Sequence, residues 1–267
     1  MDEGDRMSFL EKACLQARRR ISEGYYNLEF YEPPASRPSM LEALNKQGVS
    51  LICELKLRSP AMGVIRDARN PLSLIEEMEA AGADAISIIT DPDNFSGSIH
   101  YLAEASKITR LPTLMKDFIV SDVQIEAARR AGASAILLIY PAFSRGYALL
   151  GLREAIDLAH SMGLEVILES YNMEDLRASL SYDADLLGVN SRNLDTLELS
   201  LDRAYELIAS LGDPDERVIL ESGISSASQI RRFAELGVNK FLVGTSIMAS
   251  SSIALKIREL KGALHDG

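Results

Sequence analysis

Four times along the chain, a charged stretch with helical spacing ends in a glycine and gives way to an unbroken apolar run. The copies span residues 81–90, 131–140 and 236–244, with a weaker one at 162–169, and their glycines are Gly82, Gly132, Gly237 and Gly163. Glycine closes a helix easily because it tolerates left-handed backbone. Runs such as Ala135-Ile136-Leu137-Leu138-Ile139, apolar on both faces, are typical of strands buried in a parallel sheet. Extending the pattern gives eight strands, beginning near Leu51, Asp84, Pro112, Ser134, Glu165, Asp185, Arg217 and Lys240. Between and after them, helical spacing covers 72–80, 99–107, 123–130, 149–161, 173–180, 201–211, 227–236 and 253–260. Eight alternating units predict an α/β fold, a (β/α)8 TIM barrel. An open, doubly wound sheet is the competing arrangement, but it usually carries a G-x-G-x-x-G turn after its first strand. Here that strand ends Glu54-Leu55-Lys56.

Residues 1–48 precede the first strand. The pattern predicts a helix over 8–23, with Ser8 as N-cap and Glu11 completing a capping box. A turn-rich connector over 32–38 and a short helix over 39–45 follow. The expected organisation is a single barrel domain over 1–267, with 1–48 as an N-terminal helical cap.

Composition narrows the function. A chain of 267 residues buries enough surface to need neither disulfides nor a structural metal. Cys14 and Cys53 have no disulfide-framework or zinc spacing, which suits a reducing, cytoplasmic setting. No signal peptide is read at the acidic start, and no apolar run is long enough to span a bilayer. The net charge is −11, from 28 Lys+Arg against 39 Asp+Glu. Such a chain repels polyanions at long range, so neither nucleic acid nor a membrane surface is expected as a partner. A small anionic substrate stays open, because a few side chains set the sign of a pocket.

In a barrel, chemistry sits at the carboxyl ends of the strands. Those ends carry Glu54 and Lys56, Thr90-Asp91, Lys116-Asp117, Tyr140, Glu169-Ser170, Asn190-Ser191-Arg192, Glu221-Ser222-Gly223 and Gly244-Thr245-Ser246. Glu54 and Lys56, two apart, share one face of their strand. Mixed charges in a partly closed mouth perturb one another and suit acid–base work. Gly223 and Gly244, each followed or preceded by hydroxyl residues, predict backbone N–H groups for an anion, and phosphate after strands seven and eight is a common use of the fold. Phe95 and Phe118 stand in loops from which they could line an apolar wall. Cys53 should face the helix layer, and His100, His160 and His265 form no catalytic set. No nucleotide fingerprint or metal-ligand spacing is present, so no metal or cofactor is expected.

The stretch Glu54-Leu55-Lys56-Leu57-Arg58-Ser59-Pro60-Ala61-Met62-Gly63 resembles the first-strand motif of the indole-3-glycerol phosphate synthase family, E-x-K-x-x-S-P-S-x-G. Phe95-Ser96-Gly97-Ser98, Lys116-Asp117-Phe118-Ile119, Glu169, Gly188-Val189-Asn190-Ser191-Arg192, Glu221-Ser222-Gly223-Ile224 and Val243-Gly244-Thr245-Ser246 match further family motifs in order. The resemblance spans about 38–248. It implies a carboxy-lyase of tryptophan biosynthesis. Such an enzyme closes the ring of 1-(o-carboxyphenylamino)-1-deoxyribulose 5-phosphate, with loss of CO2 and water, to give indole-3-glycerol phosphate without a cofactor.

By that resemblance Lys116 is the general acid and Glu169 a base or a stabiliser of the developing iminium charge, while Glu54 and Lys56 serve dehydration and the carboxylate. Ser59, Pro60, Phe95, Phe118, Asn190, Arg192, Glu221 and Ser222 bind substrate, and Gly223, Gly244 and Thr245 clamp the phosphate. The expected partner is this small phosphorylated substrate; association with other enzymes of the same pathway, or as a homodimer, is left open. The chain departs from the family's usual residues at Ala61, Met62, Ser96, Met115 and Ser170-Tyr171, none of which is a proposed catalytic group. Two alternatives stand beside this reading. A phosphoribosylanthranilate isomerase would want a Cys and an Asp at opposing strand ends. A non-catalytic phosphometabolite-binding barrel would not need Lys116, Glu169 and Glu54 together.

Overall fold

The computed structural model describes residues 7–29, 31–34, 36–212 and 216–264. His265, noted in the sequence, lies outside the described residues. Two helices come first, α1 (Phe9–Ser22) and α2 (Met40–Leu44). The strands are β1 (Ser50–Leu55), β2 (Ala85–Ile89), β3 (Thr113–Lys116), β4 (Ala135–Ile139), β5 (Glu165–Ser170), β6 (Leu186–Asn190), β7 (Val218–Glu221) and β8 (Lys240–Val243). The outer helices are α3 (Leu72–Ala80), α4 (Ile99–Ile108), α5 (Asp122–Arg130), α6 (Leu152–Ser161), α7 (Met173–Ser179), α8 (Leu201–Ala209), α9 (Ala227–Ala234) and α10 (Ile253–Lys261). The eight strands are parallel and close on themselves through the β1–β8 pair, Ser50 opposite Lys240. The predicted (β/α)8 barrel is therefore the fold found, and every predicted strand start falls within one residue of the observed one.

Alternation along the strands divides the core. Cys53, Ile86, Ile88, Met115, Leu168 and Leu220 point outward against the helices. Ile52, Ala85, Leu114, Leu137, Ile167, Ile219 and Leu242 fill the interior. The glycines that open the repeats do adopt left-handed backbone, with φ of +101° at Gly82, +82° at Gly132, +70° at Gly163 and +79° at Gly237. The helix expected over 149–161 begins only at Leu152. Its first residues are held elsewhere: the Leu149 N–H donates to the Val120 carbonyl at 2.7 Å, and the helix starts from Gly151 in extended backbone.

The N-terminal segment reaches both ends of the barrel. Helix α1 starts from Ser8, whose hydroxyl accepts from the Glu11 N–H at 3.2 Å. It lies across the carboxyl-end mouth, where the Leu10 N–H donates to the Leu194 carbonyl at 2.9 Å and Arg18 to the Tyr147 carbonyl at 2.5 Å. Its buried face, Leu10, Ala13, Cys14 and Ala17, joins the interior core. Helix α2 closes the opposite end, Met40 and Leu44 packing beneath the interior side chains. Glu165, at the start of β5, holds it there. Its carboxylate accepts from the Ser39 hydroxyl at 2.5 Å and from the N–H groups of Met40 and Leu41 at 2.6 and 3.1 Å. These are charge-assisted bonds to a helix N-terminus, each stronger than a neutral one. Among the described residues no helix is long and apolar enough to cross a membrane.

Glu165→Gln is expected to lower the unfolding free energy by about 2 kcal/mol, since the charge on three hydrogen bonds is lost. A urea midpoint equal to that of the unchanged protein would show that α2 docks by apolar contact alone.

Candidate active site

The mouth under α1 opens into a cavity of about 350 Å³. Of the residues singled out from sequence, Glu54, Lys56, Ser59, Pro60, Phe95, Lys116, Phe118, Glu169, Asn190, Arg192, Ser222, Gly223, Gly244 and Thr245 all line it. Glu221 does not. It is fully buried at the end of β7, behind the wall, where its Oε2 accepts from Lys116 Nζ at 2.5 Å. Arg58 also stays out of the lining, exposed on a small antiparallel hairpin opposite Val64.

Two clusters of charge occupy the floor. Lys116 is flanked by Glu221 and by Glu169, whose Oε2 lies 3.4 Å from Nζ. Burial works to lower the Lys116 ammonium, but Glu221, Glu169 and Glu54 outweigh it and hold it above the usual lysine range. Burial pushes the Glu221 carboxyl up to about 8, with Lys116 pulling the other way and Glu169 adding to the rise. In the second cluster, Lys56 Nζ sits 2.9 Å from Glu54 Oε1, as the two-residue spacing required. Glu54 Oε2 and Glu221 Oε1 are buried without a partner.

Room for these carboxylates comes from two glycines on the neighbouring strands. A Cβ on Gly188 would overlap Glu221 Oε1, and a Cβ on Gly244 would overlap Glu54 Oε1. Gly244, read from sequence only as part of an anion turn, is thus also the space that Glu54 occupies.

The turns after β7 and β8 face each other across the other side of the cavity. Ser222 and Gly223 both take left-handed backbone, φ +68° and +86°, uncommon for a serine and a sign of strain held by its surroundings. Ser246 Oγ donates to the Ile224 carbonyl at 2.7 Å and ties the turns together. The first N–H groups of the short helix Thr245–Met248 have no partner within that helix. After β6, the Asn190 side chain accepts from the Arg192 N–H at 2.9 Å, and Arg192 Nη1 donates to the Leu197 carbonyl at 2.7 Å. The apolar wall holds Phe95 and Phe118, ring centroids 6.5 Å apart, and Phe9 of α1 meets Phe118 edge-on at 5.9 Å.

Arg20 of α1 fixes the loops that carry this wall. It is 3% exposed and bridges Asp91 Oδ1 at 3.0 Å, Asp93 Oδ2 at 2.5 Å and Asp117 Oδ1 at 2.9 Å. The Tyr26 and Thr90 hydroxyls donate to Asp117 Oδ2 at 2.8 and 2.6 Å. Asp91 and Asp117, at the strand ends, are therefore committed to structure. Neither lone histidines nor acidic groups assemble a cation site: no group of three metal-ligating side chains occurs among the described residues.

Against known proteins, the family model for indole-3-glycerol phosphate synthase matches residues 11–260. The chain belongs to the indole-3-glycerol phosphate synthase family. A synthase of that name from Koribacter versatilis is 39% identical over 250 residues, covering 94% of each chain. One from Campylobacter hominis is 35% identical over 223 residues, 83% of each. One from Lachnoclostridium phytofermentans is 38% identical over 224 residues, 84% of this chain and 80% of its own. Cys53, which an isomerase reading would need at the mouth, is wholly buried on the outer face of β1.

Within this family member, sequence reasoning missed Phe9 and Arg20, and it read Gly188 only as part of a motif, without its role. Phe9 and Arg20 sit in a helix whose docking site lies far along the chain, and nothing in local periodicity points there. Gly188 carried a signal, a glycine inside an otherwise apolar strand, which marks close approach of another group.

Gly188→Ala is expected to displace Glu221 from Lys116 and to cut kcat by roughly tenfold or more, on the scale of acid–base groups. An unaltered kcat in the folded variant would show that the Lys116–Glu221 contact is dispensable.

Proposed function

We propose that the chain closes the indole ring of 1-(o-carboxyphenylamino)-1-deoxyribulose 5-phosphate, releasing CO2 and water, with Lys116 as general acid. The observation that carries this reading is a lysine ammonium, paired with buried glutamates, on the floor of a cavity that has an aromatic wall at one side and two glycine-hydroxyl turns at the other. The phosphate sits on the turns at Gly223, Gly244 and Thr245, with Ser222 beside it. The aniline ring stacks in the wall of Pro60, Phe95 and Phe118, with Ser59 at its edge. Lys56, oriented by Glu54, pairs with the carboxylate until it leaves. Asn190 and Arg192 hold the sugar hydroxyls.

Bond formation between the aromatic carbon and the ketone carbon places charge on the ketone oxygen, a far stronger base than an amine. Lys116 protonates it. Loss of CO2 restores the aromatic ring. Dehydration then removes the hydroxyl and a proton from the adjacent methylene, which Glu169 accepts. Glu221, behind the wall, positions Lys116 rather than touching substrate. Positive charge from Lys56, Lys116 and Arg192 in a confined site stabilises the anionic groups, and no metal is called for. The segment 1–48 acts as a cap within one domain, and the setting is cytoplasmic, as two free, buried cysteines suit.

Purified protein is expected to convert the substrate to a fluorescent indole product without added metal; folded protein that gives no product overturns the reading. Lys116→Met should lower kcat by about 10²-fold or more. The pH dependence follows from Glu221. Its folded pKa lies above the ordinary carboxyl value, so its proton is present at neutral pH and is lost as pH rises through about 8. The added negative charge pins Lys116 and repels the substrate, so kcat/KM should fall on that limb. Glu221→Gln should remove the limb; a limb that persists in the variant assigns it to another group.

A further inference from the structure

The ring closure discards a carboxylate as neutral CO2, so one proton must enter the site in every turnover. Lys116 lies on the floor, where bound substrate covers it from the mouth. Beside the main cavity, under α1 and among the loops after β4, β5 and β6, the structure has a second cavity, of about 20 Å³, enough for a single water molecule. Glu169 and Leu194 belong to the walls of both cavities, so they form the partition between them. Asn172, Asp175, Asn193 and Asp195 are among the other walls of the small cavity and offer polar partners to a water there.

We propose that Asp175 and this cavity form the proton inlet of the enzyme, feeding Lys116 through Glu169 from beside the substrate cavity, along the rim between the ends of β4, β5 and β6. The proposal rests on the ring-closure reading above. Asp175 is half-buried in the first turn of α7, so it touches both the cavity and solvent. Asn172 Nδ2 donates to its Oδ2 at 2.7 Å, and its own N–H donates to Asn172 Oδ1 at 2.9 Å, which fixes the carboxyl. The charged groups facing it are Glu174 on its own helix, Arg145 after the helix Tyr140–Ser144 and Asp195 after β6. Burial raises the Asp175 carboxyl above the ordinary aspartate value, Arg145 pulling it down, so the acid form lies nearer to neutrality than in an exposed aspartate.

The proton count closes. Lys116 gives a proton to the ketone oxygen and is left as a neutral amine. The Asp175 acid then gives its proton to the cavity water as that water gives one to the Glu169 carboxylate. Glu169 passes it 3.4 Å to Lys116, and Asp175 takes a replacement from bulk water. In dehydration Lys116 gives a second proton to the departing hydroxyl, while Glu169 receives the methylene proton and returns it to Lys116. Two protons leave Lys116. One is replaced from solvent and one from substrate, which matches the net uptake.

The test uses the full chain with the carboxyphenylamino-deoxyribulose phosphate. Asp175→Asn, which keeps an acceptor for Asn172, should lower kcat on the order of tenfold with KM unchanged. It should also raise the solvent deuterium isotope effect on kcat, and added imidazole buffer should restore the rate. A merely structural aspartate would shift none of the last two. Ser170→Val narrows the same cavity without touching a titratable group and should raise the isotope effect too, which keeps the test open if the first variant does not fold. Wild-type kcat and isotope effect in the folded variants overturn the inlet while leaving the synthase reading intact. Wild-type protein that fails to turn over substrate overturns both.

Discussion

A lysine ammonium placed on the floor of a barrel must be compensated, because a lone buried charge costs several kcal/mol. Lys116 meets this demand with Glu169 from β5 and a hydrogen bond to Glu221 from β7, so three strands meet in one cluster. The cluster in turn dictates sequence elsewhere. Gly188 on β6 lies between β5 and β7 and must lack a side chain for Glu221 to reach across. Gly244 does the same for Glu54. Barrel closure and acid–base chemistry are thus one construction: strand alternation delivers the charged groups inward, and the gaps between them are cut to fit.

A second buried charge organises the rim. Arg20 brings α1 onto the ends of β2 and β3, where Asp91 and Asp117 would otherwise stand as two buried acids close together. Burial and Asp117 both raise the Asp91 carboxyl, and Arg20 opposes them. Asp117 directly follows Lys116 and precedes Phe118, so the helix that covers the mouth also fixes the residues on either side of Asp117. The net charge of −11 is consistent with this layout. Acidic residues such as Glu76, Glu77 and Glu216 lie exposed on the outside, and Lys56, Lys116 and Arg192 face inward.

Much of this was legible in the chain. Glycine-to-apolar-run repeats and a two-residue period located all eight strands, and strand ends located most of the cavity wall. What stayed hidden depends on contacts between distant segments. Glu221 reads like its neighbours at other strand ends, yet it stays out of the cavity wall because its carboxyl fills the gap left at Gly188 and pairs with Lys116. Phe9 and Arg20 belong to a helix whose amphipathic pattern says that it docks, not where. Leu149 looks helical by spacing, but its N–H is already taken by Val120.

The N-terminal segment touches both ends of the barrel, at Leu194 above and Glu165 below, and β1 finds one of its two partners only in β8. For a nascent polypeptide this has a temporal consequence. The earliest residues have no complete docking surface until strands five and six exist, and the first strand keeps an open edge until the eighth is made. During synthesis that edge, with the apolar faces of α1 and α2, stays available to chaperones or to other chains. The protein therefore completes its earliest-made part last.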